Sequence, residues 1–322
     1  MPRLLTTLLT VVLALSGAAT AASPNSGERL AYLVSDLRIP FWQTMQRGIA
    51  QRAKSLGYRL DVYSADNNPR RELESAVRTI REQVDGIVLS PTNSSAAVTV
   101  LKLAGKAGIP VVIADVGADS DDYISYIASD NRGGSYQLGR LLTQAMHKRH
   151  WSNGHVGIIA IPQKRANGQA RTVGFLKALK EAGIEASDMR QQADFTYRET
   201  YDFARELIAA DAQLRAIWLQ GSDRYQAALD AIADAGKSGE ILLTCFDAEP
   251  EFMQLIPEGR LVAAGMQQPF LMGERAVDAL NAHLRGREVP HHVLLPVLAI
   301  SKENIDDQRE LIRRNVLGLN VE

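Results

Sequence analysis

Several segments of this chain place hydrogen-bonding side chains and flat aromatic faces in the residue or two after an apolar run. The run Leu30 to Val34 is followed by Ser35-Asp36-Leu37-Arg38-Ile39-Pro40-Phe41-Trp42, where two adjacent aromatics open a helical stretch. Neighbours on a helix point in different directions, so one ring can pack inward while the other faces a cleft. An aromatic face matches the C–H surface of a pyranose or furanose, and polar groups beside it can take the hydroxyls. Ser90 ends another apolar run, in Ser90-Pro91-Thr92-Asn93, where Thr92 or Asn93 can equally serve as a helix N-cap. Asp115 ends Val-Val-Ile-Ala and precedes Val116-Gly117 rather than a helix, so capping does not account for it. A carboxylate there can accept charge-assisted bonds from two hydroxyls. Arg171 stands near the start of a helical stretch, the end at which the helix dipole disfavours a cation. Phe195, Gln220 in Gln220-Gly221-Ser222-Asp223, Asp247 and Gln267 each fall just past further apolar runs. Any one of these could be a loop residue or a cap. Together they are a ring of hydrogen-bonding groups with aromatic faces, the profile of a sugar or polyol site.

Other chemistries lack their parts. The chain carries no Gly-x-Ser-x-Gly elbow, no His-Glu-x-x-His and no phosphate loop, and Gly133, Gly134 and Gly139 have the wrong spacing for a dinucleotide turn. The histidines, including His147, His150, His155 and the pair His291-His292, show no metal-ligand spacing with a carboxylate on one helical face and read as surface residues. No catalytic residue, metal ligand or cofactor is therefore expected. With 36 Lys+Arg against 37 Asp+Glu there is no basic field for nucleic acid or an anionic membrane surface. A single cysteine, Cys245, excludes an internal disulfide and reads as a small buried residue in the run before Asp247.

The elements that must position these residues alternate from residue 29 almost to the end. Apolar runs of strand length, Leu30 to Val34, Leu60 to Tyr63, Gly86 to Leu89 and Pro110 to Ile113, are separated by amphipathic runs beginning at Pro40, Pro69 and Ser94. After a short run at Ile124 to Ala128 the rhythm restarts. Strands follow at Val156 to Ile161, Ala216 to Leu219, Ile241 to Phe246, Arg260 to Met266 and Leu294 to Ile300. Helices fall at Arg132 to Lys148, Gly168 to Ala182, Arg198 to Ala210, Tyr225 to Ala235 and Pro269 to Leu284, with a short one near Glu251. Continuous Val/Ile/Leu strands between helices mean parallel sheets covered on both faces. The restart predicts an α/β protein of two doubly wound parallel-sheet lobes; a single barrel is the rival, but the chain has more than eight such units. Open parallel sheets bind ligands at their strands' carboxyl ends, so the site belongs in the cleft between the lobes.

The first residues read as an export leader: Arg3, the apolar run Leu4 to Leu15, and Ala19-Thr20-Ala21, with cleavage expected after Ala21 (residues 1–21). The apolar run is short for a bilayer span, so stable membrane insertion is not expected, and a soluble periplasmic protein is.

Val34 to Trp42, the Asp66-Asn-Asn-Pro69 turn, Ser90-Pro-Thr, Gly108 to Asp115, Ile127 to Asn131, Arg171 with Gly174-Phe175, Ala193 to Phe195, Cys245 to Asp247 and Met266 to Pro269 resemble the ribose-type periplasmic sugar-binding proteins, from about residue 28 to 300. These are solute-binding components of ABC importers, related to the effector domain of the lactose-repressor family. The resemblance implies a type I periplasmic binding fold whose three crossings, near Ser129, Gln267 and Val297, join an N-terminal lobe (28–128 plus 268–296) to a C-terminal lobe (129–267 plus 297–322). It implies ligand roles for Phe41, Trp42, Ser90, Asp115, Arg171, Phe195, Asp247 and Gln267. Ile39, Val116 and Gly221 stand where the family's ribose binders carry polar residues, and Asp36 or Arg38 could supply replacements. The implied partners are a small sugar or polyol and an ABC permease, with docking on a periplasmic sensor kinase or chemoreceptor as the alternative and a periplasmic hydrolase a weaker one. A monomer is expected, and the C-terminal segment Lys302 to Glu322 reads as a solvated amphipathic helix on the second lobe.

Overall fold

The computed structural model describes residues 27–319; the expected leader lies outside them. Among the described residues no helix is long and apolar enough to cross a membrane. The first series of elements is β1 (Arg29–Val34), α1 (Pro40–Ser55), β2 (Arg59–Ser64), α2 (Pro69–Arg81), β3 (Gly86–Ser90), α3 (Ser94–Lys106), β4 (Val111–Ala114) and β5 (Ser125–Ser129). The second is α4 (Asn131–Lys148), β6 (His155–Ala160), α5 (Ala166–Glu181), β7 (Ala186–Gln191), α6 (Tyr197–Ala210), β8 (Leu214–Leu219), α7 (Tyr225–Asp234), β9 (Leu242–Phe246), α8 (Phe252–Leu255) and β10 (Ala263–Met266). The chain then returns through α9 (Pro269–Leu284), β11 (His292–Leu295), β12 (Leu298–Ser301) and α10 (Arg309–Leu311), which runs into a π-helical turn at Ile312–Val316.

Two six-stranded sheets result, in the orders β11-β5-β4-β3-β1-β2 and β12-β10-β9-β8-β6-β7. The first is parallel throughout; in the second, β12 alone is antiparallel, against β10. Side chains of a strand alternate between faces, and in β1 Leu30, Tyr32 and Val34 enter one core while Ala31 and Leu33 enter the other. Each sheet is thus covered on both sides, which is why its strands read as continuous apolar runs. Burying each large aliphatic side chain in such a core contributes roughly 1.5–3 kcal/mol. Helices α4 and α5 pack against each other at close range. A Cβ on Gly174 of α5 would fall 2.1 Å from the Arg132 carbonyl oxygen, and one on Gly139 of α4 would fall 2.7 Å from Ala178 Cβ. Cys245 is fully buried in the second sheet's core.

Three features depart from the sequence expectation. β7 is a polar, exposed edge strand with no apolar run to announce it. The run expected as one strand from Leu294 to Ile300 is two, broken at Pro296-Val297, with β11 joining the first sheet and β12 the second. The C-terminal segment is a bridge rather than a solvated helix. Ile305, Ile312, Val316 and Leu317 are buried in the core of the second sheet. From the same segment, Arg314 Nη1 and Nη2 donate to the Glu274 carboxylate on α9 at 2.7 and 2.9 Å, and Arg47 Nη2 of α1 donates to the Leu317 carbonyl at 2.7 Å. The passages between sheets, after β5, β10 and β11, are tied together as well: the Asp130 amide donates to the Leu295 carbonyl, Gln268 Nε2 to the Pro296 carbonyl and Asn315 Nδ2 to Gln268 Oε1, each at 2.8 Å.

Candidate functional site

At the carboxyl ends of the parallel strands the two lobes face each other across a cavity with about 400 Å³ of empty space, part of it open to solvent. Ile39, Phe41, Trp42 and Asp115 line it from the first lobe, Ile161, Arg165, Asn167, Arg171, Phe195, Gly221, Asp223 and Asp247 from the second, and Gln267 from the passage after β10.

Pro40 starts α1 at the end of β1 and sets Phe41 and Trp42 at the cavity wall. Their rings meet edge to face, with centroids 4.9 Å apart at 86°. Trp42 is buried in the core with Tyr32 and Met45, while Phe41 stays partly exposed, so both expected orientations occur in one pair and both rings reach the cavity. Phe195 faces them from the other lobe on a left-handed backbone, φ 54°, with the Arg165 guanidinium 5.5 Å from its ring centre.

The polar wall is a connected network. Asn167 Nδ2 donates to Asp115 Oδ2 at 2.8 Å, joining one lobe to the other, while Asp115 Oδ1 is buried with no hydrogen-bond partner. Burial pushes the Asp115 carboxyl up to about 6, against the opposing pull of Arg171. Arg171 lies in the second turn of α5, because the helix begins earlier than the sequence pattern indicated. Its Nε donates to Asn131 Oδ1 and its Nη1 to the Gln220 carbonyl, both at 2.8 Å, and Nη1 lies 3.5 Å from Asp247 Oδ2. The guanidinium sits 4.1 Å over the Phe246 ring, so its direction is fixed from every side. Gln267 Nε2 donates to Asp247 Oδ1 at 2.5 Å; since the amide nitrogen must face the carboxylate, Oε1 is an acceptor, buried and without a partner. Burial raises the Asp247 carboxyl, opposed by Arg171 and Gln267. Asp223 is raised to about 6 by burial, with Arg224 Nη1 3.2 Å from its Oδ2 as the nearest compensating charge.

Arg165 is a site residue that the sequence reading missed. It is 4% exposed and reaches across the cleft, with Nε donating to the Thr92 carbonyl at 3.0 Å and Nη2 to Ser35 Oγ at 3.1 Å and Asn67 Oδ1 at 3.0 Å. The next residue joins in: the Ala166 amide donates to Ser94 Oγ at 3.1 Å. The signal was present, since Ile161-Pro-Gln-Lys-Arg165-Ala-Asn167 follows β6 at its carboxyl end, where a polar run is a candidate for the cleft. Asp223 was in view only as part of the Gln220 to Asp223 group.

Four expected residues stand behind or beside the cavity. Asp36 and Arg38 engage each other, Nε to Oδ1 at 2.8 Å and Nη2 to Oδ2 at 2.6 Å, with Arg38 turned to solvent. Ser90 is buried below the site, accepting from the Tyr32 hydroxyl at 3.2 Å. Gln220 braces it from beneath: its carbonyl holds Arg171, and its Nε2 donates to Thr172 Oγ1 at 2.8 Å. Asn93 caps α3, accepting from the Ala96 amide at 2.9 Å. Of the three family departures, Ile39 and Gly221 line the cavity, whereas Val116 is buried in the first lobe's core.

The cavity wall holds no Ser, Cys, His or Lys, and its carboxylates are engaged by Asn167, Arg171, Arg224 and Gln267. This arrangement of hydrogen-bonding groups and aromatic rings is suited to binding and orienting a ligand.

The chain is similar to known proteins over most of its length. The family described as "Periplasmic binding protein domain" matches residues 30–288. The ribose import binding protein of Haemophilus influenzae is 28% identical over 300 residues, covering 92% of this chain and 99% of that protein. The D-allose-binding periplasmic protein of Escherichia coli is 26% identical over 291 residues, covering 86% and 91%. Among solved structures, a carbohydrate transporter solute-binding protein from Agrobacterium radiobacter, in complex with D-arabinose, superposes with a TM-score of 0.82 at 22% identity, covering 91% of this chain and 100% of that one.

Proposed function

The chain belongs to the periplasmic binding protein domain family, and from that membership we propose that it captures one neutral monosaccharide or polyol between its lobes and delivers it to an ABC importer. The observation that carries this reading is a pair of buried acceptors on the cavity wall, Asp115 Oδ1 and Gln267 Oε1, neither with a hydrogen-bond partner. A buried acceptor left unpaired costs about 1–3 kcal/mol, and a ligand rich in hydroxyl donors satisfies both. Phe41 and Trp42 on one side and Phe195 on the other supply the flat faces for its C–H surfaces. The relatives named for ribose and D-allose support the ligand class.

In this reading the protein is a binder without catalysis. It acts as a monomer in the periplasm after a leader ending at Ala21 is removed, with lobes at 28–128 plus 268–296 and 129–267 plus 297–322. The ligand bridges Phe41, Trp42 and Asp115 to Arg171, Phe195, Asp247 and Gln267, favours the closed arrangement, and the closed pair of lobes is what the permease engages. Arg165 and Asn167 offer polar groups on a wall where Ile39 and Gly221 offer none. Ser90 and Gln220 position this wall, and Asp36 and Arg38 shape the loop beside it.

The test is a thermal-shift screen of pentoses, hexoses and polyols, followed by calorimetry. A ligand of this class should raise the melting temperature in proportion to the logarithm of its concentration and bind one to one. Binding confined to charged solutes such as amino acids, with no response to any sugar or polyol, overturns the reading.

A further inference from the structure

On the first lobe, near the amino-terminal ends of β5 and β11 and away from the cleft, the fold brings an aspartate to a pair of adjacent histidines remote from it in sequence. Asp121, His291 and His292 are exposed, and one ligand-capable atom from each lies within 4.8 Å of those of the other two. We propose that this cluster is a binding site for one divalent first-row transition-metal ion, held by two imidazoles and a carboxylate.

The backbone beneath the cluster is fixed. The Tyr126 amide donates to the His291 carbonyl at 2.8 Å, Ser125 Oγ donates to the Pro290 carbonyl at 2.7 Å, and His292 pairs in register with Tyr126. Tyr123 braces the side chains: its ring stacks on His291 with centroids 4.7 Å apart at 11°, and its hydroxyl lies 3.3 Å from Asp121 Oδ1 and 3.4 Å from His292 Nε2. The donor set selects the ion. Two imidazole nitrogens suit Zn²⁺, Cu²⁺ or Ni²⁺, whereas Mg²⁺ and Ca²⁺ favour oxygen ligands alone. Metal–ligand bonds of about 2.0–2.2 Å place tetrahedral donors about 3.4 Å apart, so these side chains close by an ångström or so, within the reach of exposed rotamers, and a fourth position is left to water. An ion here would clip the loop before β5 to the start of β11, two neighbouring strands whose far ends lead into two of the passages between lobes.

The experiment uses untagged protein stripped with a chelator and titrated with ZnCl₂ by calorimetry. One saturable ion per chain is expected, with His291→Ala, His292→Ala and Asp121→Ala each weakening binding about tenfold or more, and with His147→Ala/His150→Ala unchanged. Zn²⁺ should also raise the melting temperature of the native chain and not that of the His291→Ala/His292→Ala variant, whose own melting temperature without metal reports that it is folded. Absence of saturable binding, or binding undiminished in that double variant, overturns the proposal.

Discussion

Asp115 and Asp247 occupy the same place in the two lobes: each is the first residue past the third strand of its six-stranded sheet, and each has φ 70°. Left-handed backbone is costly for a residue with a Cβ and is persistently found where the surroundings over-determine it. Here it turns both carboxylates to one cavity from opposite sides. Asn adopts this backbone readily, so Asp115→Asn and Asp247→Asn should keep the fold while removing the charge-assisted acceptor. Affinity for the sugar should fall about tenfold or more in each, measured by calorimetry. Unchanged affinity in both would remove these two residues from the ligand's contacts.

The three bonds of Arg165 join the lobes directly, before any contribution from ligand. Arg165→Ala should shift the ligand-free population toward separated lobes, seen as a larger radius of gyration in small-angle scattering, and should accelerate ligand release. Arg165→Lys should restore little of this, because a single ammonium cannot reproduce a guanidinium fork serving Thr92, Ser35 and Asn67 at once.

The lobes were legible in the sequence because most strands are buried on both faces, and burial leaves a mark residue by residue in runs such as Val111 to Ala114. β7 left no such mark, since an exposed edge strand has no apolar requirement. The split at Pro296-Val297 was hidden for another reason: both halves are apolar, and the sheet each joins is decided by pairing with distant strands. The site followed the same divide. Phe41, Asp115, Phe195, Asp247 and Gln267 were visible by position relative to strands, and Arg171 by its place near the start of a helix. The mutual engagement of Asp36 and Arg38, and the reach of Arg165 across the cleft, depend on which acceptors the fold brings near.

Glu72 is buried on α2, its Oε2 accepting from the Thr92 amide at 2.5 Å and its Oε1 without a partner, and burial pushes its carboxyl up to about 7. The folded chain therefore holds a proton that the unfolded chain releases near the ordinary 4.5. The resulting penalty is absent below that pH, grows as pH rises, and is complete above about 7, on the order of 3 kcal/mol. Between pH 5 and 8 the ligand-free native protein should lose stability relative to Glu72→Gln by roughly that amount in urea titrations. A difference that stays flat across this range would show that Glu72 does not titrate on folding.

The C-terminal bridge makes a claim about stability that a solvated helix would not. Ile312 is fully buried in the second lobe's core, two residues before Arg314, whose ion pair with Glu274 is partly exposed. Cavity formation at a buried aliphatic costs about 2–5 kcal/mol, whereas a partly exposed pair contributes about 0–1 kcal/mol. Ile312→Ala should therefore lower the urea midpoint strongly and Arg314→Ala only slightly. Their effects on the lobes should run the other way, because Ile312 lies within one lobe while Arg314 spans two. Arg314→Ala should loosen the connection between α9 and the C-terminal segment, raising hydrogen exchange at Ile312 to Leu317. Equal stability losses in the two variants would mean that the segment's hold on the first lobe, rather than its seat in the second, secures it.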